Sequence, residues 1–214
     1  MRVLDLCAGE LGWASVFAKR GHDCVCVDLR EPKREIPQGI VFWKRNILSI
    51  DLIELLDACG TRYFDFIVAS TPCEEFSTLR NFRPPVPYPE MGIRLFNHTR
   101  SICEASGIPY VMENVAGAQK FVGRSDANCG AYHLWGNGIP PLIPRGIRKG
   151  LTELAMGLRE HKDKPGWNDR HGSKGQTPTA LVATIPPELA NCVADYAERI
   201  CVEKVPATAT RQPL

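Results

Sequence analysis

An apolar run, Phe64-Asp65-Phe66-Ile67-Val68, leads into Ala69-Ser70-Thr71-Pro72-Cys73-Glu74-Glu75-Phe76-Ser77. The run predicts a buried strand, the fourth in the chain. Cys73 then sits just past the carboxyl end of that strand, where open α/β sheets hold their ligands. Pro72 fixes its own φ and biases Thr71 away from helix, which makes a stiff exit turn. A cysteine taken alone reads as a small buried thiol. Reading it as a nucleophile depends on what the rest of the chain brings to the same edge.

The rest of the chain alternates strand and helix patterns. Met1 to Cys7 predicts the first strand, followed by the turn Ala8-Gly9-Glu10-Leu11-Gly12 and a helix from Trp13 to Arg20. Cys24 to Val27 predicts a second strand ending on Asp28, with Cys24 and Cys26 on one side of it. A third strand lies near Ile40-Val41-Phe42, closed by Asn46-Ile47, and a helix runs from Asp51 to Ala58. After a Pro- and Arg-rich loop, Thr78 to Pro89, a helix covers Glu90 to Ser106, with Ile93, Phe96 and Ile102 on its apolar side. Pro109 to Met112 predicts a fifth strand that ends in Glu113-Asn114-Val115. Such alternation predicts an α/β fold, a mostly parallel Rossmann-like sheet with helices on both faces.

The character changes after about Gly136. Pro140, Pro141 and Pro144 punctuate an extended segment, and Arg145 to Lys174 is basic and aperiodic, with one short helix around Leu151 to Leu158. Pro186-Pro187 then opens a final helix to about Cys201, with Leu189, Val193, Tyr196 and Ile200 on one face. The tail beyond Val205 is expected to fray. Three parts follow: residues 1–138 as a catalytic and cofactor-binding domain, 139–178 as a short basic segment, and 179–204 as a helix that completes the first part.

Net charge is only +2, so any nucleic-acid contact must come from local patches. No apolar run is long enough to span a bilayer and no secretory signal pattern opens the chain, so a cytoplasmic protein without a membrane partner is expected. The nine cysteines give no paired C-x-x-C spacing, which leaves no zinc framework and predicts no metal. A reducing compartment with room for one reactive thiolate fits that usage.

Several residues converge on the carboxyl edge of this sheet. Gly9 and Gly12 let backbone approach a ligand at the first strand-to-helix switch. Asp28 is placed to hold ribose hydroxyls, and Asn46 to meet an adenine edge. Both also read as ordinary strand-end polarity. Glu113, after the fifth strand, faces Cys73 across the cleft, or else caps the segment that follows. A thiolate paired with a carboxylic acid suits attack on an electron-poor ring with protonation of a ring nitrogen.

Asp5 to Gly12, Thr71 to Ser77, Glu113-Asn114-Val115 and Ile185-Pro186-Pro187 resemble successive motifs of the DNA cytosine-5 methyltransferases, in that family's order and with compatible spacing. The resemblance covers roughly Met1 to Trp135 and the final helix. It implies S-adenosyl-L-methionine as cofactor, lined by Asp5, Leu6, Cys7, Ala8, Gly9, Leu11, Gly12, Asp28, Leu29, Asn46, Ile47 and Thr184. It implies that Cys73 attacks C6 of a flipped-out cytosine while Glu113 serves N3, with Pro72, Asn114 and His133 completing the catalytic set. Flipping is required because a stacked base hides its ring face. The implied partner is double-stranded DNA, met by Ser77, Arg80, Arg83, Arg145, Arg148, Lys149 and Lys174.

The chain departs from the family in six places. The family's Gln-x-Arg-x-Arg run has no clean match. Cys7 stands where an aromatic usually packs on adenine, and Glu74 where a Gln follows the nucleophile. Ala131-Tyr132-His133-Leu134-Trp135 resembles an Arg-His-Arg-Leu-Phe pattern with His133 in place of the second Arg. Val182 to Pro187 lacks the Asn of its pattern. Between about Ile139 and Gln176 there is no room for a second core, where the family carries a target-recognition domain. That absence implies short or relaxed sequence specificity, or recognition supplied by a protein partner or a homodimer. Compact members of this kind are typical of bacteriophages, where methylation in the bacterial host cytoplasm shields DNA from restriction-modification systems. An RNA or free cytosine nucleotide substrate is the alternative, as is a weakly active nucleic-acid-binding subunit of a split enzyme.

Overall fold

The computed structural model describes residues 1–51, 54–55, 64–76, 89–143 and 185–202. The first five strands are β1 (Arg2–Leu6), β2 (Asp23–Asp28), β3 (Ile40–Lys44), β4 (Phe66–Ser70) and β5 (Tyr110–Val115). Two short strands follow, β6 (Ala127–Cys129) and β7 (Tyr132–Trp135). The order across the sheet is β3-β2-β1-β4-β5-β7-β6. Every pair from β3 to β5 is parallel, while β7 runs against both β5 and β6. The chain reverses its direction of travel between β1 and β4, which creates the crevice where such sheets bind ligands. This is the α/β, Rossmann-like sheet that the alternation predicts.

Helices cover both faces. On one face α1 (Gly12–Lys19) and α4 (Pro187–Val202) pack over Val3, Phe66, Val68, Val111 and Leu134. On the other, α2 (Glu90–Ser106) and the single turn α3 (Gln119–Val122) cover Leu4, Leu6, Ile67, Ala69 and Met112. Strand alternation sorts these residues: neighbours along β1, β4 and β5 go to opposite cores. Each fully buried large side chain, such as Phe17, Phe66, Phe96 or Leu189, contributes about 1.5–3 kcal/mol of burial. No helix among the described residues is long and apolar enough to cross a membrane.

Helix α2 has the predicted bounds. It places Phe96, Thr99, Ile102 and Cys103 on one buried stripe and stops at Gly107, whose φ of 66° suits glycine. Helix α4 buries Leu189 and Val193 as expected, but its inner stripe turns toward Ala190, Ala194 and Ala197. Small side chains there allow close approach to α1, so Tyr196 and Ile200 lie at the stripe's edge.

Three strand readings change. The fourth strand is Phe66–Ser70, two residues later than the apolar run suggests. Asp65 accounts for the shift: its N–H donates to the Arg2 carbonyl and its carboxylate accepts from Arg2 N, so Asp65 is the entry to the strand. Glu113 and Asn114 lie within β5 and not after it. The segment read as a basic-motif remnant, Ala131 to Trp135, contains β7. Most of the expected helix from Asp51 to Ala58 lies outside the described residues. So do the loop from Thr78 to Pro89 apart from its last residue, nearly all of the basic segment with its short helix, and the tail.

Candidate active site

The carboxyl ends of β1, β2, β4 and β5 meet at one edge. The turn after β1 is conformationally strained: Cys7, Gly9 and Leu11 have φ of 57°, 49° and 61°. For the two non-glycine residues the left-handed region costs on the order of 1–2 kcal/mol each. The Leu11 N–H closes the turn onto the Ala8 carbonyl at 2.7 Å. The Asp28 carboxylate accepts from Gly9 N and from Arg30 N, both at 2.9 Å, and so ties the turn to the end of β2. A Cβ on Gly9 would meet nothing within 4 Å, so the turn opens outward there.

The residues expected to line a cofactor divide by exposure. Gly9, Asp28, Leu29 and Asn46 offer surface at this edge, with Leu29 59% exposed. Leu6, Ala8, Leu11 and Ile47 are buried core and shape the turn from beneath. Asn46 spends its Oδ1 on the Leu48 N–H, capping a short 310 turn. Cys7 turns its thiol toward α2, where it bonds with Thr99, and burial raises its pKa. Gly12 packs on Ile185, with its missing Cβ only 3.0 Å from that residue. Asp5 lies fully buried; burial pushes its carboxyl up to about 8. Its Oδ2 accepts from Ala14 N at 3.2 Å, which anchors the start of α1. Thr184 lies outside the described residues.

The second turn, Thr71 to Phe76, carries Cys73. Asn114 of β5 donates to both the carbonyl and the hydroxyl of Thr71 at 2.9 Å, while its Oδ1 accepts from Val115 N. The Phe76 N–H closes the turn onto the Cys73 carbonyl at 3.0 Å. Glu75 accepts from Gly92 N at 2.7 Å, in the first turn of α2. Phe76 is buried between glycines: a Cβ on Gly117 would lie 2.1 Å from the Phe76 carbonyl oxygen, and one on Gly92 would lie 2.9 Å from its ring. The turn is therefore clamped from β5, from α2 and from the segment after β5.

Glu113 is the direct cross-strand partner of Ser70, the last residue of β4. Its carboxyl bonds with the Ser70 hydroxyl, and the Ser70 oxygen accepts the Trp13 indole N–H at 2.8 Å. Burial pushes Glu113 up to about 7, against the opposing pull of Ser70. Burial pushes the Cys73 thiol up to about 12, with the charges of Glu113 and then Glu74 adding to it. Burial therefore favours the protonated form of Glu113 well above the pH at which an exposed glutamate ionises.

His133 does not join this group. On β7, Tyr132 and Leu134 face the α1 and α4 side, as Val111 does, and Glu113 shares that side by alternation. His133 faces the other way with Trp135, 6.4 Å between ring centroids, and bonds with Ser125 Oγ at 2.9 Å. Burial lowers its pKa, so it is no substitute for a cationic Arg. Tyr132 takes the position on the Glu113 side instead. Its phenol is raised first by burial and then by Glu113, with smaller contributions from Cys129, Cys73 and Glu188.

No family model matches the chain, and no curated protein does. Among solved structures, it is similar to Burkholderia thailandensis 1,6-didemethyltoxoflavin-N1-methyltransferase with bound 1,6-didemethyltoxoflavin and S-adenosylhomocysteine. The identity is 16% and the TM-score 0.32. The match covers 74% of this chain and spans 58% of that enzyme's length.

Sequence reasoning missed Trp13, Ser70 and Tyr132. Their signal is positional: strand register places Ser70 and Tyr132 on the same face as Glu113, and α1 packed on that face brings Trp13 to Ser70. The expected nucleic-acid contacts Ser77, Arg80, Arg83, Arg145, Arg148, Lys149 and Lys174 lie outside the described residues. Chemically, the edge offers a half-buried thiol, a carboxyl whose pKa is raised toward neutrality, and an open turn with an acid beside it.

Proposed function

We propose that this chain is a DNA cytosine-5 methyltransferase that uses S-adenosyl-L-methionine and acts through Cys73. One observation carries the reading. A thiol and a carboxyl stand at the carboxyl ends of adjacent parallel strands, one strand from a ligand-type turn, and the thiol's pKa is raised first by burial and then by that carboxyl. The donor set of that turn fits a nucleoside: Asp28 suits ribose hydroxyls, and outward-opening backbone at Gly9 leaves room for a flat ligand. Bound there, S-adenosyl-L-methionine supplies an electrophilic methyl group.

The chain's own residues do the rest. The Cys73 thiol gives its proton to solvent, and the thiolate sulfur bonds to C6 of the base, breaking the C5–C6 double bond. Glu113, as the acid, gives its proton or a hydrogen bond to N3, so the electron pair is drawn into an enamine with a nucleophilic C5. A neutral Glu113 also removes the charge that most opposes the thiolate after burial. Once C5 is methylated, loss of its proton restores the double bond and expels Cys73. Asn114 and Pro72 hold the turn so that the sulfur meets the ring face, which requires the base to leave the duplex stack.

The test is trapping with 5-fluorocytosine duplex DNA, where fluorine at C5 blocks the final elimination. A denaturation-resistant adduct that forms with the wild type and not with Cys73→Ser is expected. Methyl transfer that survives Cys73→Ser would overturn the mechanism. Competition among duplex DNA, RNA and deoxycytidine nucleotides for a labelled methyl group decides the substrate class. Short or relaxed specificity predicts labelling of many unrelated duplexes; a strict six-base target contradicts it.

A further inference from the structure

We propose that Ser70, held by Trp13, is a positioning residue that aims the Glu113 carboxyl at the base. The proposal rests on the cytosine reading above, in which Glu113 serves N3. Ser70 stands where β4 ends and pairs directly with Glu113 across the sheet. A serine hydroxyl has one proton to give and two lone pairs. Indole can only donate, so Trp13 occupies one lone pair of Ser70 at 2.8 Å. The hydroxyl proton is then left to Glu113, with which Ser70 bonds. Trp13 is 1% exposed on the first turn of α1, so its indole is a fixed anchor.

The other titratable groups on this side do not supply that donor. Cys73 stands on the turn after β4, and as a thiolate it repels the carboxylate. Tyr132 stands on β7, and Glu188 at the start of α4 acts on Tyr132. Asp5 on β1 shares the face but spends Oδ2 on Ala14 N. Ser70 is therefore the group that both orients Glu113 and supports its ionised form. A carboxyl poised near neutrality can hold a proton for N3 in one step and release it in the next. The arrangement links the start of α1, beneath the cofactor turn, to the acid on β5.

Carbon-13 NMR of glutamate-labelled protein follows the carboxyl directly, with Glu113→Gln to assign the resonance. Removing a donor to the carboxylate raises its pKa. Ser70→Ala is expected to raise the Glu113 midpoint by about one unit, and Ser70→Thr to restore it. Trp13→Phe is expected to raise the midpoint by about half as much. In steady-state methyl transfer, Ser70→Ala is expected to lower kcat about tenfold with KM values within about twofold. The limb of the pH profile set by Glu113 should move with the NMR midpoint. An unchanged midpoint in folded Ser70→Ala, or failure of Ser70→Thr to restore it, overturns the role. An unchanged midpoint in Trp13→Phe overturns Trp13's part. A wild type that transfers no methyl to cytosine yet shows the Ser70-dependent shift refutes the cytosine reading and leaves the serine–carboxyl relation standing. An active enzyme without the shift does the reverse.

Discussion

The turn after β1 and the turn after β4 lie side by side at one edge of the sheet, yet they are built in opposite ways. The first is shaped from within. Its left-handed residues Cys7, Gly9 and Leu11 bend the backbone, and two acids, Asp5 and Asp28, take up the N–H groups of Ala14 and Gly9. The second is shaped from without. None of its residues from Thr71 to Phe76 has a positive φ; it is pinned by Asn114, by the Gly92 N–H of α2 on its Glu75 and by backbone contact at Gly117. A turn that offers backbone to a ligand needs a special conformation. A turn that offers one side chain needs its surroundings to fix it.

The contrast predicts where each turn is fragile. The largest effect belongs to Gly117→Ala. Its methyl would collide with the Phe76 carbonyl, which is backbone and cannot swing aside. A loss of about 3 kcal/mol or more is expected in thermal or urea unfolding, together with loss of transfer. Unchanged stability would break the clamp picture.

Glu113→Gln comes next and works in two directions. Burial raises the folded-state carboxyl to about 7, above the 4.5 of an exposed glutamate. The folded state therefore binds more protons than the unfolded state between those values, and stability falls as pH rises through that window. The amide escapes the cost. The variant is expected to be more stable than wild type at pH 8 by about 2–3 kcal/mol, and equal to it near pH 4. Transfer should fall by about 100-fold or more. Equal stability at both pH values would contradict a buried, charge-penalised acid.

These predictions rest on geometry that periodicity only partly announces. The parallel core and α2 are legible because their burial patterns follow their own residues: an apolar run for each strand, a 3.6-residue stripe for the helix. The β6–β7 hairpin is not, because strands of three and four residues containing Asn128 and His133 draw their order from the partner strand. The inner stripe of α4 was hidden for a related reason, since alanine marks close packing without marking an apolar face. Cys73 and Glu113 stood out as chemistry-bearing types beside strands. Ser70 and Trp13 are unremarkable in sequence and gain a role only through register, and the same register exchanges Tyr132 for His133.

Gly9→Ala tests the first turn more gently. At φ 49° with open space around the Cβ position, the cost is backbone strain alone, about 1 kcal/mol. Stability should drop by that amount, and the affinity for S-adenosyl-L-methionine in calorimetry should weaken. A drop as large as that of Gly117→Ala would erase the distinction between the turns. The smallest effect is Glu74→Gln. Its carboxylate raises the Cys73 thiol after burial and Glu113 have done so. Removing it should speed iodoacetamide alkylation of Cys73 by about threefold at pH 8, read by mass spectrometry of the modified peptide.

The reversed strand β7 has a practical consequence. Tyr132 pairs with Val115, so β7 begins where β5 ends, and the connection from β6 through Gly130 and Ala131 lies at the rim of the cleft. A hairpin tip tolerates added length at small entropic cost, since loop closure grows only slowly with residue number. Residues grafted between Cys129 and Tyr132 would extend over the cleft while the register of every other strand stayed as it is. That tip is a ready insertion point for a segment that reads the substrate.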